Sequence, residues 1–484
     1  MSTDELKNGT PGLTRSGIDV KMEITPALKE MYDTLSTCNI KFLEYVQNHP
    51  LGFERSQFSR AFDWKDPTLE VTLQPWPLFI SHKTRETIAE VCIKIFHLIQ
   101  GLPGRRFKND PARISEYYGI PRENAQICLY GVDDEYLSHL LARGDFIFTP
   151  QGLKCLEYNV SANLGGWELP LWEAQFLQVP FISGFINTRQ IKITNKNLIS
   201  FLFDYLLDIT LKAFPGEEEI NIALAIHKQD AINGLENMRS YFTRVYLDCL
   251  RHNHRLKGTM IFCRYDQLKV KGQDLYYENK KVYTILDYYL GEVPLEVVAL
   301  FKMRKVLIYN GPVAVILSNK LNLALLSELE DSGLFTAAER ETITRYIPWT
   351  RKMIPGTSTY EGKPINLEDF ILTYQDQLVL KPAVGYGGEG VAIGNQTPAN
   401  QWKERVEKSF QEKYWVIQEH MKTPRLFFQW GEKGVAACDT TWGILVFGSH
   451  YAGIFMRALP PRYSKGVVNV KQGAQVPIVF EVEE

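Results

Sequence analysis

Cysteine pairing is the first thing this chain lacks. Cys38, Cys92, Cys128, Cys155, Cys249, Cys263 and Cys438 are scattered, with no CxxC pair and no Cys/His cluster at zinc spacing. A disulfide scaffold and a zinc module are therefore excluded, and reduced, mostly core thiols in a cytoplasmic compartment are expected. Long apolar runs are also missing. The best stretches, near 196–214 and 293–318, are broken by Asp204, Asp208, Lys302, Arg304 and Lys305, short of the roughly 18–20 uncharged residues a membrane helix needs. The opening MSTDELKNGTPGLTRSG has no apolar core, so it reads as a disordered tail over 1–20 and not as a signal peptide. Charge of one sign is absent too: a net charge of −2 with acids and bases interspersed argues against a nucleic-acid surface or a polybasic anchor. A local positive pocket for an anion is still allowed. There is no internal repeat, no low-complexity block, no GK[ST] phosphate loop and no Ser/His/Asp or Cys/His nucleophile set.

What is present is a large globular interior. At 484 residues with 45% hydrophobic and 12% aromatic content, two or three packed subdomains are expected. From about 22 to 140 the pattern is mainly helical, with TRETIAEVCIKIFHLIQGL (84–102) carrying three-and-four apolar spacing up to Gly101. DDEYLSHLLARG (133–144) has acids in its first turn and Arg143 in its last, which predicts a helix ending at Gly144. After 220, strands INIALAIH, TMIFCRYDQL and KVYTILDYYL alternate with a helix over 233–256, predicting a small α/β lobe. A helix is predicted to begin near Lys320, a hinge over the polar segment 356–369, and a β-rich lobe from 378 with a helix at 399–412 and a late hairpin turning at Gly448-Ser449.

Two stretches carry the chemistry. RGDFIFTPQGLKCLEYN (143–159) is a hairpin with TPQG at its turn. Glu157 and Asn159, two apart on one strand, share a face, where hard oxygen ligands suit Mg²⁺ against a triphosphate, and Asp145 lies a hairpin's length upstream to add a third oxygen. LKPAVGYGGEGVAIG (380–394) supplies Lys381 for phosphates, and Gly385, Gly387, Gly388 and Gly390 let backbone N–H groups approach them. Solvated strand residues and a ligand-free turn would explain the same letters. YWVIQEHM (414–421) suits an adenine whose edge is read by backbone, Gln418 or Glu419, or else is an edge strand reaching solvent.

With these pieces in view, the chain resembles glutathionylspermidine synthetase, an ATP-grasp ligase. Residues 143–159 match its Arg-x-Asp-Phe … Gly-Leu-Lys-x-x-Glu-Tyr-Asn motif; ILSNK (316–320), VLKPAVGYGGEGV, VIQEHM and YAGIFMR (451–457) follow in that family's order, and the similarity spans about 130–475. Glu157 precedes the glycine flap, the reverse of common ATP-grasp enzymes, so the resemblance implies a circularly permuted ATP-grasp fold of the α+β class. It implies a helical N-terminal region (21–140), a metal-strand part (141–215), an α/β pre-ATP-grasp lobe (216–304) and nucleotide-binding lobes with the flap (305–484). It further implies ATP and Mg²⁺ as cofactors, with Asp145, Glu157 and Asn159 on the metal, Lys320 and Lys381 on the phosphates, and Gly385, Tyr386, Gly387, Gly388 and Gly390 in the flap. Gln418 and Glu419 would stand at the base, and Arg143 and Arg457 would face the γ-phosphate and its acyl acceptor.

There are three departures from that family. Its flap has arginine where Tyr386 stands; the loop after Asn159 reads Val160-Ser161-Ala162-Asn163-Leu164-Gly165-Gly166-Trp167 in place of Ala-Asp-Ser; and the residues before Arg143 are too few for the amidase domain some members carry. The expected activity is ATP-dependent amide formation between a small-molecule or peptide carboxylate and an amine, with neither nucleic acid nor membrane as partner and a homo-oligomer left open. Trp167, Glu168, Tyr386 and Pro460-Pro461-Arg462-Tyr463 are candidate substrate-facing residues. The alternative is a catalytically silent ATP-binding regulatory or scaffold protein of the same fold.

Overall fold

The computed structural model describes residues 22, 24–49, 71–226, 236–288, 293–385, 387–431, 434–464 and 466–484. The proposed tail over 1–20, the helix start at 233–235 and Tyr386 lie outside them. The architecture is mixed α+β. Strands are numbered in chain order. The principal sheet runs β1 (Thr72–Ser81), β20 (Gln475–Val482), β19 (His450–Leu459), β18 (Gly434–Phe447), β2 (Leu141–Thr149) and β3 (Gly152–Val160), and β17 (Leu426–Trp430) pairs with the first half of β18. Only β1 and β20 are parallel in it.

A second, parallel sheet has the order β10 (Leu307–Tyr309), β9 (Thr284–Asp287), β4 (Glu219–Ile226) and β5 (Lys257–Arg264). The meander β6 (Leu268–Lys271), β7 (Asp274–Tyr277) and β8 (Lys280–Val282) follows β5 in sequence. The third sheet is antiparallel, in the order β11 (Thr350–Lys352), β16 (Trp415–Glu419), β14 (Leu378–Pro382) and β15 (Ala392–Ile393). It has its own small core of Met353, Phe370, Leu380, Trp402, Phe410 and Ile417, separate from the large core beneath the other two sheets.

Several elements depart from the sequence reading for definable reasons. The region before 140 also holds β1, whose Pro75 and Pro77 fall where the register with β20 shifts; prolines that would break a central strand are tolerated at an edge. The helix read as ending at Gly101 runs from His82 to Phe107, through Pro103. Ser81 caps it by accepting from Thr84 N at 3.2 Å, and its buried face of Ile88, Val91, Ile95, Phe96 and Ile99 outweighs the weak propensity of Gly and Pro. The helix expected over 133–144 is confined to Asp134–Leu137, because Leu141 onward is a strand paired on both edges. Arg143 is thus a mid-strand residue. The predicted hinge at 356–369 is the hairpin β12 (Thr357–Tyr360) with β13 (Lys363–Asn366), turning at Glu361-Gly362 into a helix over Leu367–Thr373. The strand YWVIQEHM lies inside its sheet, between β11 and β14, and not at an edge.

All seven cysteines are buried free thiols. Among the described residues no helix is long and apolar enough to cross a membrane.

Candidate active site

The hairpin β2–β3 sets Asp145 opposite Glu157 and Arg143 opposite Asn159, which brings the four side chains to one face. On the other edge of β2, Gly443 of β18 stands opposite Asp145. That glycine is required by space: a Cβ there would come within 2.7 Å of Arg143 Cδ and of the Phe455 carbonyl oxygen. The Arg143 side chain crosses the gap to Asp145, donating from Nε to Oδ1 at 2.8 Å and from Nη2 to Oδ2 at 3.1 Å. Its Nη1 donates to the Leu164 carbonyl of the loop after β3. Arg457, from β19, brings Nη2 to 2.7 Å from Asp145 Oδ1, a close ion contact without hydrogen-bond alignment. The Phe455 ring lies 5.9 Å from the Arg143 guanidinium carbon and 5.7 Å from that of Arg457.

One carboxylate therefore serves two buried guanidinia. Burial raises the Asp145 pKa, but Arg143 and Arg457 outweigh it and hold the group well below the ordinary carboxylate range. Burial also opposes the charge on both arginines; Asp145 more than restores it at Arg143 and not at Arg457. Arg457 Nε is buried with no hydrogen-bond partner among the described residues. Arg457 is thus a cation with unused donor capacity.

Across the cleft, Glu157 Oε2 lies 3.3 Å from Lys320 Nζ, which also donates to the Gly385 carbonyl at 2.9 Å. The Lys320 backbone N–H donates to Ala383 O at 3.0 Å, so the start of the 321–328 helix is tied to the base of the glycine loop. Lys381 Nζ donates to Gln418 Oε1 at 2.6 Å and to Leu156 O at 3.4 Å. Burial, with Lys320 nearby and against the pull of Glu157, pushes its pKa down to about 8. The glycine loop is the connection between β14 and β15. Gly387 and Gly388, both at positive φ, let it lie against the segment before β20: a Cβ would meet Lys471 Cδ at 2.9 Å and Val467 Cγ1 at 2.7 Å respectively.

These groups surround one cleft of about 490 Å³. Asp145, Glu157, Lys320, Lys381, Gly385, Gly388, Gln418, Glu419 and Arg457 all line it, while Arg143, Asn159, Gly387 and Gly390 do not. Ile147, Val379, Val391, Ile393 and Met421 supply an apolar wall of the kind a planar base requires. Sequence reading missed Glu389, the Arg425–Asp439 pair (3.0 Å) and Thr440-Thr441, which also line it. It missed Gly443 as well, although a glycine within the apolar run WGILVF is the usual mark of a close approach. Of the substrate-facing candidates, Pro461 lines the cleft, Tyr463 stacks on Trp430 at 5.7 Å, and Trp167 is buried in the core with its indole N–H on Ala162 O.

For Mg²⁺ the donors fit in part. Among the described residues no three His, Cys, Asp or Glu side chains form a ready metal cluster. Both Asp145 oxygens face guanidinia, and Asn159 points its amide nitrogen at Asp145 Oδ2, 3.5 Å away. Of the three expected metal ligands, Glu157 is the one whose carboxylate faces the cleft without a guanidinium against it. That donor set suits a cation that keeps phosphate and water ligands, as Mg²⁺ does, and not one caged by protein.

No protein-family model matches the chain, and no curated protein matches it in sequence. Among solved structures it is similar to a glutathione synthetase-like effector from Globodera pallida, with 12% identity, a TM-score of 0.56, and 92% of this chain and 96% of that one covered. It also aligns with a putative gamma-glutamylcysteine synthetase from Methylobacillus flagellatus (11% identity, TM-score 0.38, 80% and 86% covered). A third alignment is with a D-alanyl-alanine synthetase A from Vibrio cholerae (10% identity, TM-score 0.27, 55% and 89% covered). At such identities the likeness speaks for the fold alone, and it rests on the first of the three, with which this chain shares its overall fold.

Proposed function

We propose that this chain is an ATP- and Mg²⁺-dependent carboxylate–amine ligase on a circularly permuted ATP-grasp fold. The observation that carries the reading is the convergence of Lys320, Lys381 and Arg457 on one cleft with the Glu157 carboxylate and the glycine loop. Cations from three different elements, aimed at one space beside an apolar wall, match what a polyphosphate with an attached base requires. In the reaction, an oxygen of the substrate carboxylate attacks the γ-phosphorus of ATP, the β–γ bridging bond breaks, and ADP leaves. The amine nitrogen then attacks the acyl phosphate, the C–O bond to phosphate breaks, and the amine gives up a proton as the amide forms. No nucleophilic side chain is needed, because the protein supplies position and charge.

Lys320 and Lys381 take the phosphates, and Arg457, whose Nε is otherwise without a partner, takes the anion at the reacting end. Arg143 orients Asp145, which in turn orients Arg457. Mg²⁺, bound with the nucleotide, would be held by Glu157, with Asn159 beside it on the same strand face, and would neutralise phosphate charge. Glu419 and the apolar wall flank the base. The silent ATP-binding alternative draws support from the pairing of the site's charges with one another.

Calorimetry of ATP with and without Mg²⁺ tests the binding half of this reading. Micromolar affinity that falls about tenfold or more in Lys381→Met is expected; equal affinity in wild type and variant would remove Lys381 from the phosphate site.

A further inference from the structure

Gln418 has a duty that the adenine reading does not contain. Thr350 of β11 stands directly opposite Gln418 of β16, which stands opposite Val379 of β14. Lys381, two residues beyond Val379, projects from the same face. A row of Thr350, Gln418 and Lys381 thus crosses three strands, and all three are buried. Its hydrogen bonds have a fixed direction. A threonine hydroxyl has one proton, and that of Thr350 goes to the Pro348 carbonyl at 2.7 Å. Its oxygen can then only accept, and it does so from Gln418 Nε2 at 3.0 Å. The amide orientation is therefore settled by its neighbours: Oε1 must face Lys381, at 2.6 Å. Leu156 O takes a second ammonium proton, and the third has no acceptor among the described residues.

We infer that Gln418 is a positioning residue for Lys381 and not a reader of the nucleobase. Each end of its amide is engaged inside the sheet, Nε2 by Thr350 and Oε1 by Lys381, so the amide is held toward the ammonium and is not free to swing onto a base edge. The carbonyl fixes a long, otherwise pliable side chain so that its remaining proton is presented to the cleft. This inference rests on the nucleotide reading, and it assigns Gln418 to the phosphate end of the ligand.

Binding of ATP and of inorganic tripolyphosphate, which has no base, separates the two roles. The measurement uses the full chain and its Gln418→Met, Thr350→Val and doubly substituted variants, with circular dichroism as the check on folding. The positioning role predicts that Gln418→Met weakens both ligands by the same factor, about five- to tenfold. Thr350→Val should weaken both by a smaller factor, and the double variant should be no weaker than Gln418→Met alone. Loss of ATP affinity with tripolyphosphate unchanged would overturn the inference and restore the base-reading role. If Gln418→Met does not fold, Thr350→Val decides, and unchanged tripolyphosphate affinity there overturns the inference. If wild type binds neither ligand, the nucleotide reading itself falls and the positioning role with it, an outcome distinct from failure at Gln418 alone.

Discussion

Replacing Asp145 with asparagine keeps the shape of the side chain and removes one charge from beneath two buried guanidinia. Neutralising one partner of a buried ion pair costs about 3–5 kcal/mol, because the other charge remains buried without compensation. Here a single carboxylate holds Arg143 through two hydrogen bonds and Arg457 through a 2.7 Å contact, so the upper half of that range, about 4–5 kcal/mol, is expected. Urea unfolding followed by tryptophan fluorescence reads this as a lower midpoint with an unchanged slope. The acid limb gives a second reading. The Asp145 pKa is depressed in the folded protein, so its contribution is present above its unfolded value of about 4 and is lost as pH falls through the lower folded value. Wild type should therefore lose stability below pH 4 more steeply than Asp145→Asn. A metal-ligand role predicts the reverse for the metal-free protein, since removing a carboxylate from an empty site relieves repulsion. A loss under about 1 kcal/mol, with equal acid limbs, would refute the arginine-anchor account.

Three further outcomes are expected. Gly443→Ala places a methyl 2.7 Å from Arg143 Cδ and from a backbone oxygen that cannot easily move, and should destabilise by about 1–3 kcal/mol in the same urea assay; no change would mean that β18 and β19 can part at no cost. Glu157→Gln should abolish the Mg²⁺ dependence of nucleotide binding while leaving the melting temperature within a degree or two, because its pair with Lys320 is partly exposed and contributes about 1 kcal/mol or less. Full Mg²⁺ dependence in that variant would take Glu157 out of the metal site. Burial, with Glu481 nearby and against a hydrogen bond from Asn195, raises the pKa of Glu173 to about 8. A raised carboxylate binds its proton more tightly when folded, so its contribution is full below its unfolded value and is lost as pH rises toward 8. Glu173→Gln should flatten the decline of melting temperature from pH 5 to 8, and an identical decline would show that Glu173 is ionised throughout.

The parts of the site legible in the sequence are those fixed by short-range rules. Alternation along Glu157-Tyr158-Asn159 and the TPQG turn define the β2–β3 hairpin, and the run of glycines after Lys-Pro defines the loop between β14 and β15. What was not legible depends on neighbours distant in the chain. Arg143 and Asp145 share a face by spacing alone, but Arg457 joins them only because β19 lies beyond β18 in the sheet order. The engagement of Gln418 by Thr350 and Lys381 likewise needs the register of three strands. Edge position made Pro75 and Pro77 compatible with β1, and pairing on both edges overrode the helix-end signals before Gly144. Neither fact is written in a local pattern.

The most direct test of the ligase reading is Mg²⁺-dependent ADP release when the protein is given ATP and a small-molecule extract of its own cells, with mass spectrometry of the new species. ADP release together with a product whose mass equals a carboxylate plus an amine less one water is the result predicted. Tight ATP binding with no ADP formed and no condensed product would contradict it and leave the silent ATP-binding reading in its place.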